Sequence, residues 1–368
     1  MKARVCVLEN FGQPLVEKKL SIPPLQPGQM LVKIEAAGIC GSDVHIWQGE
    51  DPRAKLPMIL GHEGVGRVAD VSGAKLTVDG QRVEIGDLIF WNRGISCGSC
   101  YYCTVAKEPA LCPYRTVQGI NVSLMEPPYL NGCYADYIIL PAGVDVFKVP
   151  PGIDPAVLVA ASCSGATAAH GFDLIRPGIG DTVVVLGPGP LGLFSVALAR
   201  DYGASQIILI GGSAGRLKVG QEFGATIVLN RREVSLEKRC EIILDVTRGR
   251  GADVVVEAAG TAEALKEAIT LARPGGTVLS IGSSQPAGTF EFDGYRDLVR
   301  RNLRLQGVWV SDTRHVFQAM HLILKYPHLF ARLITHRFPL EKANEALKSM
   351  RQREAIKAVL LPGQDLSG

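Results

Sequence analysis

The chain lacks an excess of charge of either sign: 39 lysines and arginines against 36 aspartates and glutamates leave a net charge of +3. A field this weak does not recruit nucleic acid or an anionic membrane. The beginning, MKARVCVLEN, lacks the apolar stretch and cleavage site of an export signal. One apolar run, 182–199, holds glycines and prolines at its centre, which is typical of a strand, a turn and a helix start rather than a membrane helix. We therefore expect a cytoplasmic protein without nucleic-acid or membrane partners.

The nine cysteines do not have the pattern of a disulfide framework, because their number is odd and several are clustered. In a chain without an export signal, such thiols indicate metal or catalytic chemistry in a reducing compartment. The length of 368 residues is enough for about two domains, each with its own core.

The chain divides into two types of pattern. Its first part alternates short β-rich runs with glycine, proline and aspartate turns, which predicts a barrel or sandwich with strands at 31–36, 64–71, 88–91 and 137–140. From about 156, strands alternate with helices, which predicts a doubly wound parallel sheet with strands at 182–186, 206–210, 253–257 and 277–281. The end mixes predicted strands at 306–310 and 355–361 with helices near 316–325 and 340–349.

The sharpest local motif is a set of four cysteines within sixteen residues: Cys97, Cys100, Cys103 and Cys112. Four thiolates at this spacing close a tetrahedral zinc site with no position left for water, as in structural zinc centres. Free core cysteines and a redox pair are the alternatives, but a loop of glycine, serine and tyrosine is poor core material. The motif therefore predicts structural zinc.

A second, dispersed set comprises Cys40 in G-I-C-G-S-D-V-H, His62 in G-H-E-G-V-G and Cys163 in S-C-S-G-A-T. Each of these residues taken alone is more often packed in a core than bound to a metal. Flanking glycines indicate tight turns that let polar side chains converge. Three nitrogen and sulfur ligands with one open position are the design of a catalytic zinc. The spacing alone does not establish that the three loops meet.

The third motif is glycine-rich and follows the predicted strand 182–186. It contains Gly187, Gly189, Pro190, Leu191 and Gly192. Between a β-branched strand and a helix, this pattern is typical of a dinucleotide-binding turn, with the pyrophosphate at the helix N-terminus. An ordinary glycine-rich turn is the alternative. The acidic residue expected after the next strand is missing, because 206–210 runs into G-G-S-A-G-R.

Taken together, G-I-C-G-S-D at 38–43, G-H-E-G-V-G at 61–66, the four-cysteine segment and G-P-G-P-L-G at 187–192 give a specific pattern. The chain resembles the zinc-dependent alcohol dehydrogenases of the medium-chain dehydrogenase/reductase family nearly end to end. The resemblance implies an α/β plus β architecture. A GroES-like catalytic domain would be built from 1–163 and 305–368, and a doubly wound Rossmann cofactor domain would occupy 164–304.

By position, the resemblance implies that Cys40, His62 and Cys163 bind the catalytic zinc. Glu63 matches an adjacent glutamate that is a ligand in some members and not in others. Asp43 matches the carboxylate that supports the zinc-bound histidine. Many sugar-alcohol relatives have glutamate in place of Cys163, so this ligand set favours a simple alcohol dehydrogenase. The number of zinc ions implied is two per chain.

The remaining matches concern proton transfer and the cofactor. Ser42 and His45 match a proton relay, and Thr167 and Lys357 match positions that contact the nicotinamide cofactor.

Arg93, close in sequence to the zinc-site loops, is suited to pairing with an anionic or very polar substrate.

The cofactor expected is NADP or NAD, with NADP used at least as well. Gly211 stands where NAD-specific relatives have a carboxylate that binds the ribose hydroxyls and repels a 2′-phosphate. Ser213 can donate a hydrogen bond to that phosphate, and Arg216 can pair with it. A solvated Arg216 is the alternative.

The function expected is hydride transfer between NAD(P) and an alcohol/carbonyl pair, such as a secondary, polyol or aromatic alcohol, in a homodimer or homotetramer. One alternative is a zinc-free quinone or enone reductase, which would lack the cysteine and histidine ligands. The other is an inactive structural or regulatory zinc protein, against which Ser42 and His45 argue.

Overall fold

The computed structural model describes residues 1–363. The last five residues of the predicted segment 305–368 lie outside this range. The strands, numbered in chain order, are β1 (Lys2–Leu8), β2 (Val16–Ser21), β3 (Met30–Ile39), β4 (Met58–Ile59), β5 (Glu63–Val71), β6 (Leu88–Trp91), β7 (Gly94–Ile95), β8 (Thr116–Val117), β9 (Tyr137–Leu140), β10 (Val146–Lys148), β11 (Thr182–Leu186), β12 (Gln206–Gly211), β13 (Ile227–Asn230), β14 (Ala252–Glu257), β15 (Ala272–Ser280), β16 (Arg304–Gly307), β17 (Ile334–Phe338) and β18 (Lys357–Leu360).

The α-helices are α1 (Gly41–Gln48), α2 (Tyr101–Thr104), α3 (Pro155–Leu158), α4 (Ser164–Ile175), α5 (Pro190–Asp201), α6 (Ala214–Phe223), α7 (Leu236–Val246), α8 (Ala262–Leu271), α9 (Thr313–Lys325), α10 (Pro327–Ala331) and α11 (Ala343–Arg351). Short 3-10 helices are Pro109–Leu111, Val159–Ser162 and Leu340–Lys342, and Gly294–Val299 is a π-helix. Among the described residues, every helix is too short or too polar to span a bilayer.

The chain forms two compact units, of which the first joins Met1–Cys163 to the residues from Ser311 onward. Its main sheet has the order β10-β6-β5-β3-β18-β17, with β9 also paired to β3. Strand β18, near the end of the chain, pairs antiparallel with β3, near its beginning. A smaller sheet, β2-β1-β4, completes the β-rich architecture that the sequence predicts. The two ends of the chain therefore build one core.

The second unit, Ser164–Val310, contains a parallel sheet of order β13-β12-β11-β14-β15-β16. Counted from β11 as the first strand, this order is 3-2-1-4-5-6, the arrangement of dinucleotide-binding folds. The β-branched run of β11 is buried along its whole length, as expected of a central strand covered on both faces. The predicted doubly wound Rossmann sheet is confirmed.

The strand predicted at 306–310 is wrong in position, because β16 spans Arg304–Gly307. Its pairing with β15 aligns Thr277 with Arg304 and Ser280 with Gly307, and this register fixes its bounds. Most of its residues are exposed, so the strand has no alternating apolar pattern, and the apolar residues that suggested it follow it. Because β16 belongs to this sheet, the second unit ends at Val310 rather than at 304.

Candidate active site and metal centres

Cys40, His62, Glu63 and Cys163 form one group, called here the buried cluster, in which one ligand atom from each residue lies within 4.8 Å of the others. Two neighbouring strands place three of them. Because Gly38 of β3 pairs with Glu63 of β5, the residues that follow β3 and begin β5 lie side by side. Cys163 follows the 3-10 helix Val159–Ser162. The three predicted zinc-site loops therefore meet.

Gly38 makes room for this cluster. A Cβ on this residue would lie 2.2 Å from Glu63 Oε2 and 2.9 Å from Val159 Cγ2. Any side chain would therefore displace the carboxylate or the 3-10 helix, which explains glycine at this point of β3.

Asp43 orients His62. Nδ1 of His62 lies 3.2 Å from Asp43 Oδ1, and the backbone N–H of Cys40 donates to Asp43 Oδ2 at 2.8 Å. His62 is buried, and within residues 1–363 its Nε2 has no hydrogen-bond partner. Burial alone would lower the pKa of His62, but the charge and hydrogen bond of Asp43 raise it to about 9. An orphaned imidazole nitrogen among thiols is a donor set that fits zinc.

The two thiols of the buried cluster lie 3.8 Å apart, Sγ to Sγ. A hydrogen bond from Cys163 lowers the pKa of Cys40 well below its usual value, in spite of burial. A thiolate rather than a thiol is the form that ligates a metal. The same hydrogen bond, together with burial, raises the pKa of Cys163 well above its usual value, so that Cys40 is the member of the pair favoured as a thiolate.

Glu63 has a buried cationic partner. Lys357 Nζ lies 2.5 Å from Glu63 Oε2, and neither side chain is more than 1% exposed. Burial raises the pKa of Glu63 and Lys357 opposes this effect, while the charge of Glu63 raises the pKa of Lys357 against its own burial. The contact of Lys357 with the cofactor that the resemblance implies stays a prediction.

The predicted relay residues lie on α1, which begins directly after Cys40. Ser42 Oγ is 3.9 Å from Cys40 Sγ. His45 Nδ1 is 2.7 Å from Glu50 Oε2, and its side chain is one-third exposed. Ser42 is thus next to the buried cluster and His45 near solvent, while their role in proton transfer stays a prediction.

Two other neighbours of the zinc-site loops have different surroundings. Trp91 belongs to the hydrophobic core of the first unit. Arg93 is also buried, and its Nε donates to the carbonyl oxygen of Ser162, next to Cys163, at 2.9 Å.

Cys97, Cys100, Cys103 and Cys112 form the second group, called here the cysteine lobe. Their sulfurs are 3.5 Å apart for Cys112 and Cys97, 3.6 Å for Cys100 and Cys103, and 3.8 Å for Cys100 and Cys112. Backbone N–H groups of Ser99 and Cys100, with the Ser99 hydroxyl, lower the pKa of the exposed Cys97 to about 6. Four converging thiols fit a closed tetrahedral zinc site.

The second unit contains the glycine-rich turn between β11 and α5. Gly187 has a φ of 108°, which favours glycine, and Gly189 caps α5, whose first residue is Pro190. A Cβ on Gly192 would lie 1.8 Å from the Gly187 carbonyl oxygen, so the helix packs directly on the turn. Leu191 lies in the first turn of α5. This close backbone approach fits a bound pyrophosphate.

The segment after β12 explains the missing carboxylate. A Cβ on Gly211 would lie 2.4 Å from Pro188 Cγ, so an aspartate at this position would displace the glycine-rich turn. Ser213 is exposed at the N-cap of α6, and Arg216 is partly buried in the first turn of that helix. Thr167 is partly buried on α4.

Arg231 and Arg232 are candidate cofactor residues that the sequence reasoning missed. Because β13 pairs with β12 so that Asn230 is opposite Gly211, both arginines follow at the same edge of the sheet. Their Nε atoms lie 3.5 and 3.3 Å, respectively, from the position of a Cβ on Gly212. The R-R pair is visible in the sequence, but its relevance depends on β13, which the pattern did not reveal.

Comparisons with known proteins agree with this geometry. Residues 26–151 match the alcohol dehydrogenase GroES-like domain, and 190–325 match the zinc-binding dehydrogenase family. The chain is 36% identical to 5-exo-hydroxycamphor dehydrogenase of Pseudomonas putida, over 91% of this chain and 92% of that protein. It is 32% identical to L-threonine 3-dehydrogenase of Bacillus subtilis, over 98% and 99% of the two chains.

Solved structures give the same result. An alcohol dehydrogenase from Thermotoga maritima has a TM-score of 0.96 and 50% identity, covering 98% of this chain and 100% of that one. A putative zinc-binding dehydrogenase from Sinorhizobium meliloti, solved with NADP, has a TM-score of 0.84 and 29% identity, covering 98% and 100%. The predicted GroES-like and Rossmann architecture is confirmed. The chain belongs to the zinc-dependent alcohol dehydrogenases of the medium-chain dehydrogenase/reductase family, enzymes that transfer hydride between an alcohol/carbonyl pair and NAD(P).

Proposed function

We propose that the buried cluster is the catalytic zinc site of this enzyme and that the cysteine lobe holds a structural zinc. Cys40, His62 and Cys163 are the proposed catalytic ligands. The observation that carries this assignment is the convergence of His62 with both thiols, a ring nitrogen within 4.8 Å of each, while the buried Nε2 lacks a hydrogen-bond partner in residues 1–363. A buried polar atom of this kind costs free energy unless something binds it.

When bound, zinc supplies a Lewis acid for the alcohol oxygen, and the nicotinamide supplies the hydride acceptor. The protein's own groups position these partners. Asp43 holds the imidazole of His62 in one orientation through Nδ1. Lys357 neutralises Glu63, whose carboxylate would otherwise be an unpaired charge in a buried site.

We propose that Ser42 and His45 carry the alcohol proton to solvent. Ser42 lies beside Cys40, and His45 is one turn further along the same helix with its ring partly exposed. Glu50 holds His45 by Nδ1, which leaves Nε2 to exchange the proton. This assignment places a hydroxyl at the buried end of the route and a titratable group at the exposed end.

We propose NADP as a cofactor used at least as well as NAD. Gly211 contributes no negative charge. Ser213 and Arg216 follow it in the chain, and the side chains of Arg231 and Arg232 lie near Gly212. Two guanidinium groups near Gly212 provide charge-assisted hydrogen bonds for a 2′-phosphate.

The cofactor proposal is tested by measuring the Kd of NADPH and NADH by nucleotide fluorescence, together with kcat/KM for both cofactors. Arg231→Gln and Arg232→Gln should each raise the Kd of NADPH about tenfold and leave that of NADH unchanged, since a charged hydrogen bond contributes about 1.5–3 kcal/mol. Exposed Arg248→Gln is the matched control. A preference for NAD above about a hundredfold would contradict the proposal.

The reaction itself is tested by a broad alcohol and carbonyl screen with both nicotinamides, covering secondary, polyol and aromatic alcohols.

We propose a cytoplasmic homodimer or homotetramer. Strand β16 is the edge of its sheet in the described residues and offers a pairing surface between subunits. Light scattering tests the assembly. Two clusters of reduced thiols are suited to a reducing compartment.

A further inference from the structure

Arg93 is a buried cation close to the buried cluster. It follows β6 by two residues and retains 7% of its exposure. Its Nε donates to the carbonyl oxygen of Ser162 at 2.9 Å, and Ser162 directly precedes Cys163. The charge of Arg93 acts electrostatically on both His62 and Cys163. The guanidinium is therefore a neighbour of the proposed reaction centre.

No carboxylate neutralises this guanidinium. Within residues 1–363, Arg93 forms no ion pair, and its bond to Ser162 is its one hydrogen bond. The two acids of the site already have partners, since Asp43 is bonded to His62 and Glu63 to Lys357. A buried charge without a counterion is costly, so an uncompensated one needs an explanation.

Another buried arginine shows the usual arrangement. Arg239 in the second unit is 6% exposed, and its Nε lies 2.8 Å from Glu267 Oε1 while Nη1 donates to the Val234 carbonyl oxygen. Arg93 has the same burial and a similar carbonyl contact but no carboxylate. What Arg93 lacks in comparison with Arg239 is a carboxylate, and the thiol of Cys163 is a group whose anionic form its charge favours.

A second guanidinium reinforces the positive charge. A Cβ on Gly94, the residue after Arg93, would lie 1.8 Å from Arg115 Nη2. Arg115 Nη1 donates to the Ser311 carbonyl oxygen, and within the described residues Arg115 also has no carboxylate within ion-pair distance. Arg115 is thus a neighbour of Arg93, and the two positive charges together favour an anion, although the charge of Asp312 acts on Arg115 from beyond ion-pair distance.

We propose that Arg93 binds an anionic group of the substrate, so that the preferred substrate is an alcohol carrying a carboxylate or a phosphate. The planar guanidinium matches both groups, and Nε, held by Ser162, leaves the two Nη atoms for a two-point contact. The inference rests on the proposed catalytic role of the buried cluster and names the substrate class of that site.

The test compares kcat/KM for matched pairs: hydroxy carboxylates of increasing chain length against their amides, and polyol phosphates against the parent polyols. We expect the anionic member of at least one pair to be favoured about tenfold or more. The two series distinguish the carboxylate from the phosphate. Equal kcat/KM for charged and neutral members of every pair would overturn the proposal while leaving the dehydrogenase activity intact.

Variants assign the preference to one side chain. Arg93→Met should lower kcat/KM for the anionic member of a pair about tenfold more than for its neutral member, and Arg93→Lys should keep part of this preference. Exposed Arg82→Met is the matched control. An equal loss on charged and neutral substrates would show that Arg93 serves only to balance the charge of the ligands, and would overturn the proposal. Zinc content and thermal stability establish that each variant is folded. If Arg93→Met does not fold, the kcat/KM values of Arg93→Lys for the anionic and neutral substrates decide the question.

A binding measurement separates this proposal from the catalytic one. The probes are unreactive alkyl carboxylates, alkyl phosphates and alkyl amides, titrated into the protein loaded with zinc and NADPH and followed by calorimetry. Tighter binding of the anions than of the amides, lost in Arg93→Met, supports the role of Arg93 even if no alcohol in the screen is oxidised. Equal binding of anions and amides contradicts it even if alcohols are oxidised.

Discussion

The buried cluster and the cysteine lobe use the same element, sulfur, in opposite ways. The lobe takes four like ligands from sixteen consecutive residues and exposes Cys97 to solvent. The buried cluster takes two thiols, an imidazole and a carboxylate from three separate segments and encloses them among Asp43, Lys357 and Arg93. Four thiolates fill all four coordination positions of a zinc ion. A catalytic zinc site has three protein ligands, so that one coordination position stays open for the substrate. The difference predicts a stabilising role for the metal site that is closed within one segment and a catalytic role for the site that is assembled from three segments.

The largest expected effect comes from removing an imidazole of the buried cluster. His62→Ala should lower turnover by roughly 10³-fold or more, because metal polarisation of the substrate is worth several kcal/mol and each 1.4 kcal/mol is about tenfold. Steady-state kinetics, together with NADPH binding to confirm a folded protein, check this. Exposed His328→Ala is the control. Turnover within tenfold of the wild type would remove the basis for separating the two metal sites.

A smaller effect is expected at the outer end of the proposed proton route. His45→Gln should slow turnover about 10²-fold and change its pH dependence, because a positioned acid–base group contributes about 10²–10⁴-fold. The zinc content should not change, since Glu50 rather than a metal ligand holds the ring. The kcat profile from acid to alkaline pH is the measurement. An unaltered rate and profile would mean that His45 is an ordinary surface histidine.

The smallest effect on turnover is expected in the cysteine lobe. Cys100→Ser should open its closed site and lower the free energy of unfolding by about 3 kcal/mol or more, while kcat per catalytic zinc stays within threefold. Thermal unfolding measures the first quantity and initial rates the second. Cys240→Ser, outside both groups, should change neither. A loss of kcat without a loss of stability would reverse the roles of the two regions.

The same contrast explains how far the sequence could predict the molecule. The cysteine lobe can be predicted from the spacing of its cysteines alone, because a Cys-x-x-Cys turn brings its two thiols close together. The buried cluster needs the register that places Gly38 opposite Glu63, which spacing does not reveal, although the family resemblance names the same residues. The neutralising pair of Lys357 and Glu63 likewise depends on β18 returning to β3.

In the second unit, strands with strong β-branched runs such as β11 were predicted to the residue. β13 and α7 were missed, since β13 has only four residues and just one of them is fully buried. The sequence pattern therefore did not predict that Arg231 and Arg232 lie near Gly212. The predicted position of β16 was wrong because pairing with β15, and not a run of apolar residues, determines where this exposed edge strand begins and ends.

The most direct test of two zinc sites with different roles is the metal content of the purified wild type, His62→Ala and Cys100→Ser, measured by atomic emission and paired with turnover. The account predicts two zinc ions in the wild type and one in each variant, with the zinc that remains in Cys100→Ser supporting turnover and the one in His62→Ala not. One zinc per wild-type chain, with the cysteine lobe empty, would contradict it.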